Sequence, residues 1–138
     1  MSGKWHGLTA GVLSVLLLTW AGCAEAQDEG ASESDAVKHL TDEAQFAEWT
    51  ASGAVVVDFY ADWCGPCRRM SPALSAFASE QEGKVSVVKV NVDQYPDLSQ
   101  KYKVSSIPYL VLFKDGKFSD SRVGMQSLEQ LRSWLVPE

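Results

Sequence analysis

Val55-Val56-Val57-Asp58-Phe59-Tyr60-Ala61-Asp62-Trp63-Cys64-Gly65-Pro66-Cys67 is the stretch that decides the fold. Its first half is a nearly continuous apolar run, the pattern of a strand buried on both faces. Its second half opens a helical pattern in which Met70, Leu74 and Phe77 share one side. Pro66 suits the first turn of such a helix, and Pro72 inside the pattern is expected to bend it. A strand that hands over to a helix sets that helix's first turn at the carboxyl edge of the sheet, where open α/β folds place their chemistry. The unsatisfied N–H groups and the positive dipole end favour an anion there. A thiolate is such an anion, so Cys64 is expected to ionise more readily than a free thiol. The spacing of Cys64 and Cys67 brings both sulfurs to one face of the turn, within reach of a disulfide. Half of a structural zinc site is the alternative for Cys-x-x-Cys, but such a site normally needs four ligands. Only Cys23, His6 and His39 are at hand, all upstream and none in ligand spacing. A redox pair without a metal is therefore the favoured reading.

Downstream, Val85 to Val92 reads as a second central strand, and Asp93 to Tyr102 as a polar connection with a short helix. Tyr109 to Phe113 and Phe118 to Val123 flank Asp115-Gly116, a strong signal for a tight antiparallel hairpin. Ser127 and Gln130 form a capping box before a last helix whose buried stripe is Leu128, Leu131, Trp134 and Leu135. Upstream, Val37 to Leu40 reads as a short edge strand. Thr41 is the expected cap of a helix that turns Phe46 and Trp49 inward and ends at Gly53. The order β-α-β-α-β-α-β-β-α implies an α/β fold, a central mixed sheet with helices on both faces. The folded domain is placed at 37–138.

Residues 1–26 read as an export signal: Lys4, an apolar core from Leu8 to Trp20, then small residues. Two cleavage sites fit. Ala24-Glu25-Ala26 suits cleavage before Gln27. Trp20-Ala21-Gly22-Cys23 resembles a bacterial lipobox, with Trp20 where Leu, Val or Ile is usual, and makes Cys23 the lipidation candidate. Lipidation explains why a third cysteine sits there, and Ala24 rather than Asp after it favours the outer membrane by resemblance to enterobacterial sorting. Residues 27–36 (QDEGASESDA) read as a flexible acidic linker.

The chain of 138 residues suits one domain with a real core. A net charge of −6, with lysines and arginines scattered, leaves no electrostatic footprint for nucleic acid. The acidity is read as solubility, and a monomer is expected.

From Val57 to Cys67, and again at Lys89-Val90-Asn91-Val92-Asp93, Ile107-Pro108 and Val123-Gly124, the chain resembles thioredoxin. Tyr60 stands where bacterial thioredoxins usually carry tryptophan. The resemblance implies the thioredoxin fold and protein-disulfide oxidoreductase activity. Cys64 is then the nucleophile and Cys67 the resolving thiol, with disulfide-bonded proteins as substrates. It makes Asp58, whose pKa burial is expected to raise, the general acid/base for Cys67, and sets Lys89 near that acid. It implies a cis bond before Pro108, with the Ile107 backbone pairing to a substrate strand and with Trp63 and Gly124 bordering the same groove. Gly65 and Pro66 between the cysteines imply a reducing potential. No cofactor is implied. An exported reductant lacks direct access to NADPH, so a membrane thiol electron donor is the expected partner. Membrane contact is otherwise expected only through the lipid anchor.

Overall fold

A computed structural model describes residues 35–135. The leader, Cys23 and most of the acidic linker lie outside them, as do the last three residues. Asp35 and Ala36, at the linker's end, form a turn, and Ala36 packs against the core. The elements follow the expected order: β1 (Val37–His39), α1 (Glu43–Thr50), β2 (Ala54–Tyr60), α2 (Gly65–Glu80), β3 (Val85–Asn91), α3 (Pro96–Lys101), β4 (Tyr109–Lys114), β5 (Lys117–Val123) and α4 (Leu128–Leu135).

The five strands form one sheet in the order β1-β3-β2-β4-β5. The β1–β3 and β3–β2 pairs are parallel, whereas β2–β4 and β4–β5 are antiparallel. The strand that leads into the cysteines is therefore central, which is why it is apolar at every position but Asp58 and Tyr60. Val55, Val57 and Phe59 point to one face and pack with Phe46 of α1 and Leu98 of α3. Val56 points to the other, among Met70, Leu74 and Phe77 of α2 and Leu131 and Trp134 of α4. Each fully buried side chain of this kind contributes roughly 1.5–3 kcal/mol. Asp58 continues the Val56 face by the strand's period of two, so it is turned toward α2.

Two boundaries differ from expectation for local reasons. Asp42, not Thr41, caps α1: its carboxylate accepts the Ala44 N–H at 2.8 Å. A charged acceptor meets the orphan N–H groups more strongly than a hydroxyl. Thr41 instead donates both its N–H and its hydroxyl to Gln45 Oε1, at 3.2 and 3.0 Å. The hairpin strands extend closer to their turn than expected, to Lys114 and from Lys117. Asp115 and Gly116 both have positive φ, 50° and 80°, which is the primed turn that matches strand twist. The capping box of α4 is present: Ser127 N–H donates to Gln130 Oε1 at 2.8 Å, and Gln130 N–H donates to Ser127 Oγ at 3.2 Å. α2 runs through Pro72 without ending.

Candidate active site

The carboxyl ends of β2 and β3 gather the residues singled out in the sequence. β2 ends at Tyr60, and four residues later Cys64 occupies the N-cap of α2. Cys64 and Cys67 are joined by a disulfide. The Cys67 N–H donates to Cys64 Sγ at 3.2 Å, so the capping bond of the helix falls on the first sulfur. Exposure does not separate the two: Cys64 is 4% exposed and Cys67 3%. The bridge lies in one buried cluster with Ala61, against which Tyr60, Val92 and Ile107 pack. Gly65 and Pro66 form the first turn, with Pro66 on the surface.

Asp58 is 1% exposed in the middle of β2. The parallel register sets it beside Lys89 of β3, itself buried. The acid is thus buried next to a cation, not among apolar groups alone. The Lys89 ammonium donates to Ser71 Oγ at 3.1 Å and sits 4.5 Å from the centre of the Tyr60 ring. Ser71 Oγ in turn donates to the Cys67 carbonyl at 3.4 Å. His39 of β1, opposite Lys89 in register, meets the Tyr60 ring edge-on with centroids 6.2 Å apart. His39, Tyr60, Ser71 and Lys89, with Asp62, Arg68 and Cys67, line a cavity of about 360 Å³ beside the cysteine pair.

On the outer side, the Ile107–Pro108 peptide is cis. The Gly124 N–H donates to the Pro108 carbonyl at 2.8 Å. Gly124 has φ of +87°, and a Cβ there would meet nothing within 4 Å, so it borders open surface. Trp63 is 68% exposed and shares a groove of about 380 Å³ with Ile107, Val92, Val104 and Ser106.

Sequence reasoning missed the residues that hold these parts. The Trp63 indole N–H donates to Asp93 Oδ2 at 2.9 Å, Asp93 N–H donates to Asn91 Oδ1 at 2.9 Å, and Asn91 donates to Asp62 Oδ2 at 3.3 Å. Arg68 donates to the Asp62 carbonyl at 2.8 Å. The signal was present for Asn91, which repeats the Lys89 face two residues on, and for Ser71, one helical turn beyond Cys67.

A disulfide closing the first turn of a helix, beside a buried acid–lysine pair and a cis-proline loop, defines a dithiol–disulfide exchange centre. A family model for thioredoxin matches residues 36–136. Thioredoxins of Staphylococcus aureus strains Mu50 and MW2 are each 45% identical over 96 residues, covering 70% of this chain and 91% of theirs. A mutant thioredoxin from Halobacterium salinarum NRC-1 superposes with a TM-score of 0.66 at 32% identity, covering 73% of this chain and 94% of that one. A chain from a study of thiol resolution in yeast mitochondrial 1-Cys peroxiredoxin by glutathione and thioredoxin systems superposes at 0.67 with 30% identity, covering 75% and 97%. The chain belongs to the thioredoxin family. It is a protein-disulfide oxidoreductase.

Proposed function

We propose that this protein reduces protein disulfides in the bacterial envelope through a Cys64/Cys67 dithiol–disulfide cycle. The observation that carries the assignment of roles is the hydrogen bond from the Cys67 N–H to Cys64 Sγ. A donor aimed at one sulfur, at the positive end of α2, stabilises a thiolate there and lowers its pKa. Cys64 is then the thiolate that attacks. It bonds to one sulfur of the target disulfide, and the other target sulfur leaves as a thiolate and takes up a proton. Cys67 gives its proton to the Asp58 carboxylate and attacks Cys64 Sγ. The bond between Cys64 and the target breaks, the target sulfur leaves as a second thiolate and takes up a proton from solvent, and Asp58 returns its proton to solvent. The two electrons of the dithiol end on the target, and the protein ends as the disulfide.

Lys89 keeps the buried Asp58 paired as it changes charge. The substrate strand lies along Ile107 and the cis Pro108, with Trp63 and Gly124 at its borders, a form of strand addition. Gly65 and Pro66 support a reducing direction by likeness to thioredoxins. The envelope address rests on residues 1–26, and the lipid anchor on Cys23. Outside the cytoplasm the pair needs a membrane thiol donor to be reduced again.

The test is insulin reduction with dithiothreitol as electron source, together with the equilibrium potential of the Cys64–Cys67 pair. The expected result is turnover by the wild type at a reducing potential and none by Cys64→Ser. Equal turnover by both proteins would leave a non-catalytic binding module. A potential in the range of disulfide-forming catalysts would reverse the direction to oxidase or isomerase.

A further inference from the structure

Ser71 is not part of the cysteine motif, and the exchange reaction as written does not use it. Its hydroxyl nevertheless sits at a junction. It accepts from the Lys89 ammonium at 3.1 Å and donates to the Cys67 carbonyl at 3.4 Å. One O–H and its lone pairs serve both bonds. The hydroxyl therefore ties a cation rooted in β3 to the turn of α2 that carries the resolving cysteine. The same ammonium lies over the face of Tyr60, 4.5 Å from the ring centre. Tyr60 belongs to β2 of the sheet, whereas Ser71 belongs to α2.

We infer that Ser71 is a positioning residue for the resolving step: it holds the Lys89 charge on the α2 side, where it favours the Cys67 thiolate. The inference rests on the reductase reading above. When Cys67 ionises in the mixed disulfide, a nearby cation stabilises the negative sulfur. Without the hydroxyl, Lys89 relaxes toward Tyr60 and Asp58 on the sheet. The thiolate loses part of its stabilisation and forms only at higher pH. The charged and titratable groups that line this cavity are Tyr60 from β2, Lys89 from β3, His39 from β1, Asp62 from the loop and Arg68 from α2, and Asp58 of β2 lies beside Lys89 in the sheet register. Ser71→Ala changes the charge of none of them and keeps a good helix former in α2.

The experiment uses the full chain carrying Cys64→Ser, so that the reactivity of Cys67 is read without its partner. Alkylation by iodoacetamide is followed against pH by the mass of the Cys67 peptide, which separates it from Cys23. Ser71→Ala is expected to raise the midpoint by about half a pH unit, a roughly threefold loss of reactivity near neutrality. Ser71→Thr, which keeps the hydroxyl, is expected to retain the original midpoint. In a Lys89→Met background the Ser71→Ala change is expected to add nothing, because the two residues act as one unit. A Ser71→Ala midpoint that is unmoved or lower would overturn the inference, as would the same upward shift in the Lys89→Met background. Insulin reduction by the wild type, run alongside, keeps two failures apart. Its absence removes the reductase reading, whereas intact reduction with an unmoved Ser71→Ala midpoint removes the role of Ser71 alone.

Discussion

Cys64 and Cys67 are nearly equally buried, so what distinguishes them is where hydrogen bonds fall. The helix cap reaches Cys64 Sγ, and the bond from Ser71 reaches the Cys67 carbonyl. The cysteine motif and Asp58 were legible because unusual residue types stand out against an apolar strand. Ser71 was not, because a serine on a helix is ordinary until a neighbour is known, and Tyr60 stood out only through the resemblance. The same holds for Asp120 at the opposite edge of the sheet. Its carboxylate accepts the Trp134 indole N–H at 2.7 Å and the Ser121 N–H at 2.8 Å. These bonds, the indole's first, hold the Asp120 carboxyl below its ordinary pKa. A lowered folded value means stability that is complete above the ordinary carboxylate range and is lost as pH falls through the folded value. Solvent exposure of Asp120 keeps the effect small. Asp120→Asn retains an acceptor for the indole, so denaturation midpoints should differ little from wild type in acid. At neutral pH the variant should be the less stable protein, and a gap of the same size at both pH values would discount the ionic bond.

At the level of elements, hydrophobic period and turn chemistry placed all nine described elements in order, and the errors lay at their ends. β2 and α2 were legible as a unit because one is apolar almost throughout and the other has a single apolar side. The hairpin was legible because Asp115-Gly116 suits positive φ at both positions. A Cβ on Gly116 would also come within 3.3 Å of the Ala51 carbonyl oxygen, a close approach that the sequence does not announce. The cap of α1 shifted by one residue because two adjacent side chains could each supply an oxygen, and their geometry decided between them. The cap of α4 left no such choice. Leu131 and Trp134 of that helix are buried against α2, so its first turn helps to brace the helix that carries the cysteines. Ser127→Ala should cost about 1 kcal/mol in chemical denaturation. No loss of stability would mean that tertiary packing alone holds the turn.

For the whole molecule, the proposed envelope address belongs to residues 1–26, whereas the chemistry belongs to the domain. Intact mass of the protein recovered from a bacterial envelope tests the address: a mature chain beginning at a lipidated Cys23 is expected, and one beginning at Gln27 would remove the anchor. Within the domain, the sequence by itself determined the element order, the apolar central strand, the helix that starts at Cys64, and the acid at Asp58. Periodicity, caps and turns are local properties, and a chain shows them without its fold. The resemblance to thioredoxin supplied the cis bond before Pro108, which no local pattern dictates. The resemblance also set Lys89 near Asp58. Only the tertiary structure decided the strand order β1-β3-β2-β4-β5 and the register that pairs the two. It alone brought Asp93 under Trp63 and Ser71 onto Lys89. Those contacts join residues 30 and 18 positions apart. A sequence records what each residue can offer. Which partner takes the offer is settled when the sheet closes and α2 docks on it.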